Sequence, residues 1–330
     1  MGRLGDVEPI VLPANLPETF YRGSGRLAAF RGADLPPRPE DWVGSATARF
    51  GQSPTGLSTL PDGRRLADAL AADPVAWLGA ERADRFGADP GVLVKLLDAG
   101  QRLPVHVHPD RAFARSHLAS PYGKSEAWIV VDAADGANVR LGFARDVARD
   151  ELARWVADQD VAALLGATNE LPVAAGDVLF CPAGAPHAIG PEILLVELQE
   201  PTDFSVLLEQ KGFPVAAEDA LLRLPFDVAL ECVDRRAYSP ARLDALRGSR
   251  SGSLLPAEAD EFFRAELVTA GADVQGFAVL VVIDGEGTLA GEWGRTPLAR
   301  GTTLVLPHAA GAGRLEGSAR LVRCGPGSVG

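Results

Sequence analysis

Two histidines standing one residue apart constrain this chain more than any other feature. They are His106 and His108, in Gly100-Gln101-Arg102-Leu103-Pro104-Val105-His106-Val107-His108-Pro109, and the 330 residues contain only five histidines. The alternation reads as a β-strand, in which residues i and i+2 project from the same face, so both imidazoles can reach one metal ion. Two further ligands are expected from elsewhere in the chain: Glu126, in Gly123-Lys124-Ser125-Glu126-Ala127-Trp128, and His187, in Pro182-Ala183-Gly184-Ala185-Pro186-His187-Ala188. His117 and His308 stand outside any such pattern and are read as ordinary surface or core residues.

Short apolar runs bounded by turn residues predict strands over much of the chain. They are Val92–Asp98, Ala127–Val131 with Val139–Phe143 as its hairpin partner, Leu171–Val173, Asp177–Cys181 and Ile193–Leu198. A second set follows at Phe262–Thr269, Gly276–Asp284, Thr303–Leu306 and Ala319–Cys324. Residues 1–90 read as an N-terminal segment of loops and short strands, with helices near Arg65–Leu70 and Pro74–Trp77. Leu152, Trp155, Val156, Leu164 and Leu165 change to a helical period, predicting a helical insertion at about 144–166. Leu221–Arg236 and Pro240–Arg247 are expected as linking helices over 213–250, and Gly248–Ser253 as a flexible joint.

Two glycine spacings relate these strands. Gly100 is followed after five residues by His106-x-His108, and Gly176 after five residues by Pro182-x-Gly184-x-x-His187. Both resemble the motifs of the cupin superfamily, whose small antiparallel barrel holds one metal between neighbouring strands. The order His-Pro-Asp, Gly-Lys-Ser-Glu-Ala-Trp, Pro-Ala-Gly-Ala-Pro-His-Ala-Ile-Gly resembles the type I mannose-6-phosphate isomerases, particularly their short bacterial members. That resemblance runs from about Gly23 to Cys324 and is most specific between Leu97 and Asp203. It implies a mainly β fold of two cupin-type, jelly-roll β-barrels with a helical insertion and linking helices. The metal-binding core would span 91–212, and a second barrel without a metal site 251–330. The second barrel echoes the motif only as Gly301, then Pro307-His308-Ala309-Ala310-Gly311.

The resemblance implies a divalent metal, Zn²⁺ first, held by His106, His108, Glu126 and His187. The family has Gln where this chain has His106. A set of three His and one Glu also suits Mn²⁺, Fe²⁺ or Ni²⁺. The implied reaction is aldose–ketose isomerisation of mannose 6-phosphate to fructose 6-phosphate through a cis-enediol. Lys124, two residues before Glu126 and on its face of an extended segment, is the first candidate for proton handling, with Glu197 and Asp203 next. The family's catalytic arginine aligns with Leu207 here, and Lys211, Arg115 and Arg223 are the candidates to replace it. Without that guanidinium, three alternatives stay open: an isomerase of another sugar or sugar phosphate, a non-catalytic sugar-binding cupin, and a cupin oxygenase.

Charge bears on partners. The formal charge of −12 speaks against nucleic acid or an anionic membrane and leaves a small sugar or sugar phosphate as the expected ligand. Cys181, Cys232 and Cys324 form no Cys-x-x-Cys pair, which fits reduced thiols in a cytoplasm. Met1–Glu8 lacks a basic region followed by an apolar core, so no secretion signal is expected, and no run is long enough to span a bilayer.

Overall fold

The computed structural model describes residues 8–328, so Met1–Val7 and the last two residues of the Gly-rich tail lie outside the described residues. Four antiparallel sheets carry the fold. The first orders Glu40–Val43, Leu93–Ala99, Ile193–Gln199, Glu126–Ala133 and Val178–Cys181, and the second orders Val206–Leu207, His106–Val107, His187–Ile189, Asn138–Phe143 and Thr168–Pro172. The third is built on Thr303–Leu306, Ala278–Asp284, Arg320–Pro326 and Phe263–Val268, with Ile10–Val11 and Gly252–Ser253 on its edges. The fourth holds Asp273–Val274, Gly313–Gly317, Glu286–Gly291 and Gly294–Ala299.

Register decides what each face carries. In the first sheet Trp42, Lys95, Glu197 and Trp128 are directly paired across four strands and therefore share one face. Their strand neighbours Val43, Val94, Val196 and Ile129 point the other way, in a core shared with Val279, Val281, Val305 and Val322 of the third sheet. Alternate residues of that third sheet, Leu280, Val282, Leu304 and Leu306, pack with Leu289, Leu298 and Leu315 of the fourth. Burial on both faces explains why these strands read as continuous apolar runs rather than alternating ones.

Several expectations are corrected. The strands form four open sheets, not closed barrels, among the described residues. Asn138–Phe143 is not the hairpin partner of Glu126–Ala133: the chain crosses to the other sheet through the turn at 134–137, and Asn138–Phe143 pairs with Thr168–Pro172 and His187–Ile189. In place of one helix over 221–236 there are a turn, Phe226–Ala229 and a 3-10 turn at Leu230–Cys232. Leu222 and Arg223 adopt positive φ, and Pro225 disfavours helical backbone just before it. The Gly248–Ser253 joint is bound into the fold, with Gly248 N donating to Val178 O and Ser249 N to Leu254 O.

The helical insertion is present as Arg149–Asp158 and Val161–Ala167, burying Leu152, Trp155, Val156 and Leu164. The helices near residue 70 are Leu66–Ala72 and Pro74–Leu78. Arg26–Arg31, Ala80–Phe86 and Arg111–His117 were not anticipated. The last of these starts where Asp110 caps it, accepting from Phe113 N at 2.7 Å.

Candidate metal centre and its cavity

The first and second sheets face each other across the predicted ligand set. His106 pairs with His187 in the second sheet, and Glu126 opens its strand in the first. The chain approaches this pairing through two tight points. A Cβ on Gly100 would fall 2.3 Å from the Gly23 carbonyl carbon, and Gly184 takes φ +86° in the turn that returns His187 to the cluster. All four side chains are buried, His106 at 8% and His187 at 0% exposure marking the extremes.

Backbone carbonyls orient the imidazoles. Nδ1 of His106 donates to Pro104 O at 2.8 Å, Nδ1 of His108 to Phe204 O at 2.6 Å, and Nδ1 of His187 to Ala185 O at 2.8 Å. An N–H committed to a carbonyl leaves the Nε2 lone pair free to ligate, the usual arrangement behind a metal-bound histidine. His108 Nε2 lies 3.0 Å from Glu126 Oε2, and His187 Nε2 lies 3.2 Å from Glu126 Oε1. Trp128 Nε1 donates to the same Oε1 at 3.0 Å.

The donor set fits a divalent cation. Three imidazoles and a carboxylate converge beside the Lys124 amine, and Glu126 Oε2 and His187 Nε2 are buried without a well-formed hydrogen bond. Burial and the neighbouring imidazoles depress His106 well below the usual histidine range. Burial, with Lys124, lowers His108 to about 3. Burial pushes the Glu126 carboxyl up, but Lys124, His108 and His187 outweigh it and hold the group well below the usual range. Neutral imidazoles at His106 and His108 beside an ionised Glu126 are the protonation states that metal ligation requires.

Cys181 was not anticipated here. Its Sγ sits 3.4 Å from His187 Nδ1, behind the ring, and burial raises the thiol well above its ordinary value, so it backs the imidazole as a neutral group.

The cluster opens onto a cavity of about 880 Å³, including its mouth, with His106, Glu126, Lys124, Glu197, Asp203 and Leu207 on its walls. Lys124 is placed as expected: Nζ lies 2.9 Å from His108 Nε2 and 3.2 Å from Glu126 Oε2. Glu197 lines the cavity with Oε1 making no hydrogen bond, and burial, with Glu126 next, raises its carboxyl to about 7. Lys95 lies 3.5 Å from Glu197, 3.9 Å from Glu40 and 4.0 Å from Asp203, and its ammonium stands 4.8 Å from the Trp42 ring centroid. Burial works against the ammonium but the three carboxylates outweigh it and raise its pKa.

The three candidate replacements for the family arginine do not reach this cavity: Lys211, Arg115 and Arg223 are exposed, and Arg223 pairs with Asp219. Leu207 itself lies on the wall, paired with His106. The guanidinium on the wall is Arg49, which sequence reading passed over. His117 and His308 are exposed, as expected of non-ligands.

Two antiparallel sheets facing each other across a His–His–Glu–His cluster match the arrangement expected from the cupin-like motifs. The family description "Mannose-6-phosphate isomerase, cupin domain" matches residues 266–326, in the third and fourth sheets. A mannose-6-phosphate isomerase from Streptococcus mutans is 33% identical over 202 residues, 59% of this chain and 58% of that relative, so the match spans less than two thirds of the relative's length. The mannose 6-phosphate isomerase structure from Bacillus subtilis superposes with TM-score 0.75 over 96% of this chain and 99% of its own, at 23% identity. A mannose 6-phosphate isomerase structure bound with zinc and yttrium gives TM-score 0.76 over 97% of this chain and 100% of its own, at 18% identity. The chain is thus similar to mannose-6-phosphate isomerases, in sequence over part of its length and in fold over nearly all of it.

Proposed function

We propose that this protein is a metal-dependent aldose–ketose isomerase that interconverts mannose 6-phosphate and fructose 6-phosphate through a cis-enediol. One observation carries the reading: the cluster of His106, His108, Glu126 and His187 opens through His106 and Glu126 onto a cavity whose wall also carries the buried Lys124 and Glu197. Relatives named mannose-6-phosphate isomerase, and a fold shared with a zinc-bound one, support the substrate and the metal. The four clustered residues would hold the metal, zinc in the first instance, and a bound divalent ion would supply Lewis acidity to polarise the sugar's carbonyl.

The protein's own groups move the protons. Glu197, as carboxylate, takes the proton from C2 of the open-chain aldose while O1 gains a proton, giving the enediol. Glu197 then returns its proton to C1 as the O2 proton leaves and the C2 carbonyl forms, so the transfer is balanced. Lys124 donates to and accepts from the oxygens, stabilising charge that develops there in a water-poor site. The Lys95–Glu197 pair keeps the base oriented.

We also infer a two-unit chain, 91–212 carrying the site and 251–330 a second cupin unit, joined by 213–250 and backed by 1–90. Buried free thiols at Cys181, Cys232 and Cys324 support a reducing, cytoplasmic setting. Among the described residues no helix is long and apolar enough to cross a membrane. A second reading, sugar binding without turnover, is favoured by Leu207 standing where the family places a catalytic arginine. The deciding experiment assays metal-reconstituted protein against aldoses and ketoses with and without phosphate. Conversion confined to phosphorylated hexoses supports the proposal, and saturable binding without conversion at full metal occupancy selects the second reading.

A further inference from the structure

The cations of the cavity are unequally committed. Lys95 is 3% exposed and surrounded by Glu40, Glu197 and Asp203. Lys124 is 5% exposed and directed at His108 and Glu126. Neither can turn to a ligand's anionic end without leaving a buried carboxylate unpaired. Arg49 differs on both counts. Its side chain is 20% exposed, and among the described residues its partners are the Glu18 carbonyl, which accepts from Nη1, and Asp203, whose Oδ2 stands 3.7 Å from Nε. A guanidinium carries five N–H donors in a planar fork, so most of its capacity is uncommitted.

Position points the same way. Arg49 and Asp203 line both the buried cavity and a broader outer cleft that runs past Phe50, Tyr122 and Phe204, so Arg49 stands where the two meet. A phosphate dianion is strongly hydrated and its full burial is costly, whereas the carbons undergoing proton transfer need the dry interior. The two ends of a hexose phosphate therefore sort themselves along this axis, reacting carbons inward and phosphate at the half-open neck.

We infer that Arg49, delivered by the N-terminal segment, is the specificity-determining residue that holds the substrate's phosphate at the neck of the cavity. This rests on the isomerase reading for the identity of the substrate, but the anion site itself does not. Guanidinium binds phosphate bidentately, and Thr19 and Ser205 are polar residues on the same wall. The apolar Leu207 on that wall adds no charge to compete for the anion.

The test compares wild type, Arg49→Gln and Arg49→Lys, all with metal, by calorimetric titration with inorganic phosphate and by kcat/KM on mannose 6-phosphate against mannose. Gln retains a donor for Glu18 O while removing the charge, and thermal unfolding of each variant reports folding separately. The inference expects phosphate binding at least tenfold weaker in Arg49→Gln. It also expects an at least tenfold fall in the preference for the phosphorylated sugar, expressed in KM more than in kcat, with part of both restored in Arg49→Lys. Undiminished phosphate binding in Arg49→Gln, or no phosphate binding by wild type, overturns it. Arg49-dependent phosphate binding in a protein that converts neither sugar upholds the anion site while overturning the isomerase reading.

Discussion

Lys95 and Glu197 sit directly opposite each other on adjacent strands at the centre of the first sheet, with Nζ 3.5 Å from Oε1, on the face that forms the cavity wall. Two ionisable groups placed mid-strand in a buried sheet are expensive to keep, and their environments set opposite demands on them. Lys95 is held as a cation by three carboxylates, while Glu197 is pushed up to about 7 by burial and by Glu126.

Glu197→Gln should lower kcat about 10²–10⁴-fold with little change in KM, the usual range for losing a general base. Because the carboxylate form is the base and its pKa lies at about 7, wild-type kcat/KM should rise as pH passes through 7, and the variant should lack that limb. Stability carries the opposite sign: a folded-state pKa above the unfolded value of 4.5 means stability is lost as pH rises through about 7. pH–rate profiles and denaturation at pH 5 and 8 check both.

Lys95→Met removes the cation shared by Glu40, Glu197 and Asp203. Leaving buried charge unpaired typically costs about 3–5 kcal/mol. The loss should be smaller at pH 5, where these carboxyls protonate more readily, than at pH 8. Urea denaturation at the two pH values measures it, and an equal loss at both would count against the charge argument.

Zn²⁺ added to metal-stripped protein should raise thermal stability by about 2.7 kcal/mol at roughly 100-fold excess over Kd. His187→Ala should abolish that shift, since His187 Nε2 is buried with no other partner. His106→Gln should largely keep both metal binding and activity, given the Gln that the family carries at this position. A requirement for three imidazoles would point to different metal chemistry.

Gly100→Ala should destabilise by about 1–3 kcal/mol, because the added Cβ meets the Gly23 and Ser24 backbone inside contact distance and no flexible side chain can yield. Differential scanning calorimetry checks this. A loss of metal affinity alongside it would show that the approach to His106 depends on the same contact.

The convergence of the candidate ligands was legible because its spacing is local: His-x-His sets two imidazoles on one strand face, and the Pro-Ala-Gly-Ala-Pro turn returns the third. What escaped was relational. Alternation marks Asn138–Phe143 as a strand but does not say which sheet receives it, and the crossing at 134–137 sent it opposite its expected partner. Lys95 left a usable signal, a lone cation inside the apolar run Val92–Leu97, as Glu197 did inside Ile193–Leu198. Arg49 left none, since a loop arginine acquires its place only through the packing of the N-terminal segment.

The measurement that tests the account most directly is interconversion of mannose 6-phosphate and fructose 6-phosphate by one protein preparation as purified, after chelation, and after Zn²⁺ is restored. The account predicts turnover that disappears with the metal and returns with it, and that His187→Ala does not recover on Zn²⁺ addition. Full turnover in the metal-free protein, or none with the metal bound, would contradict it.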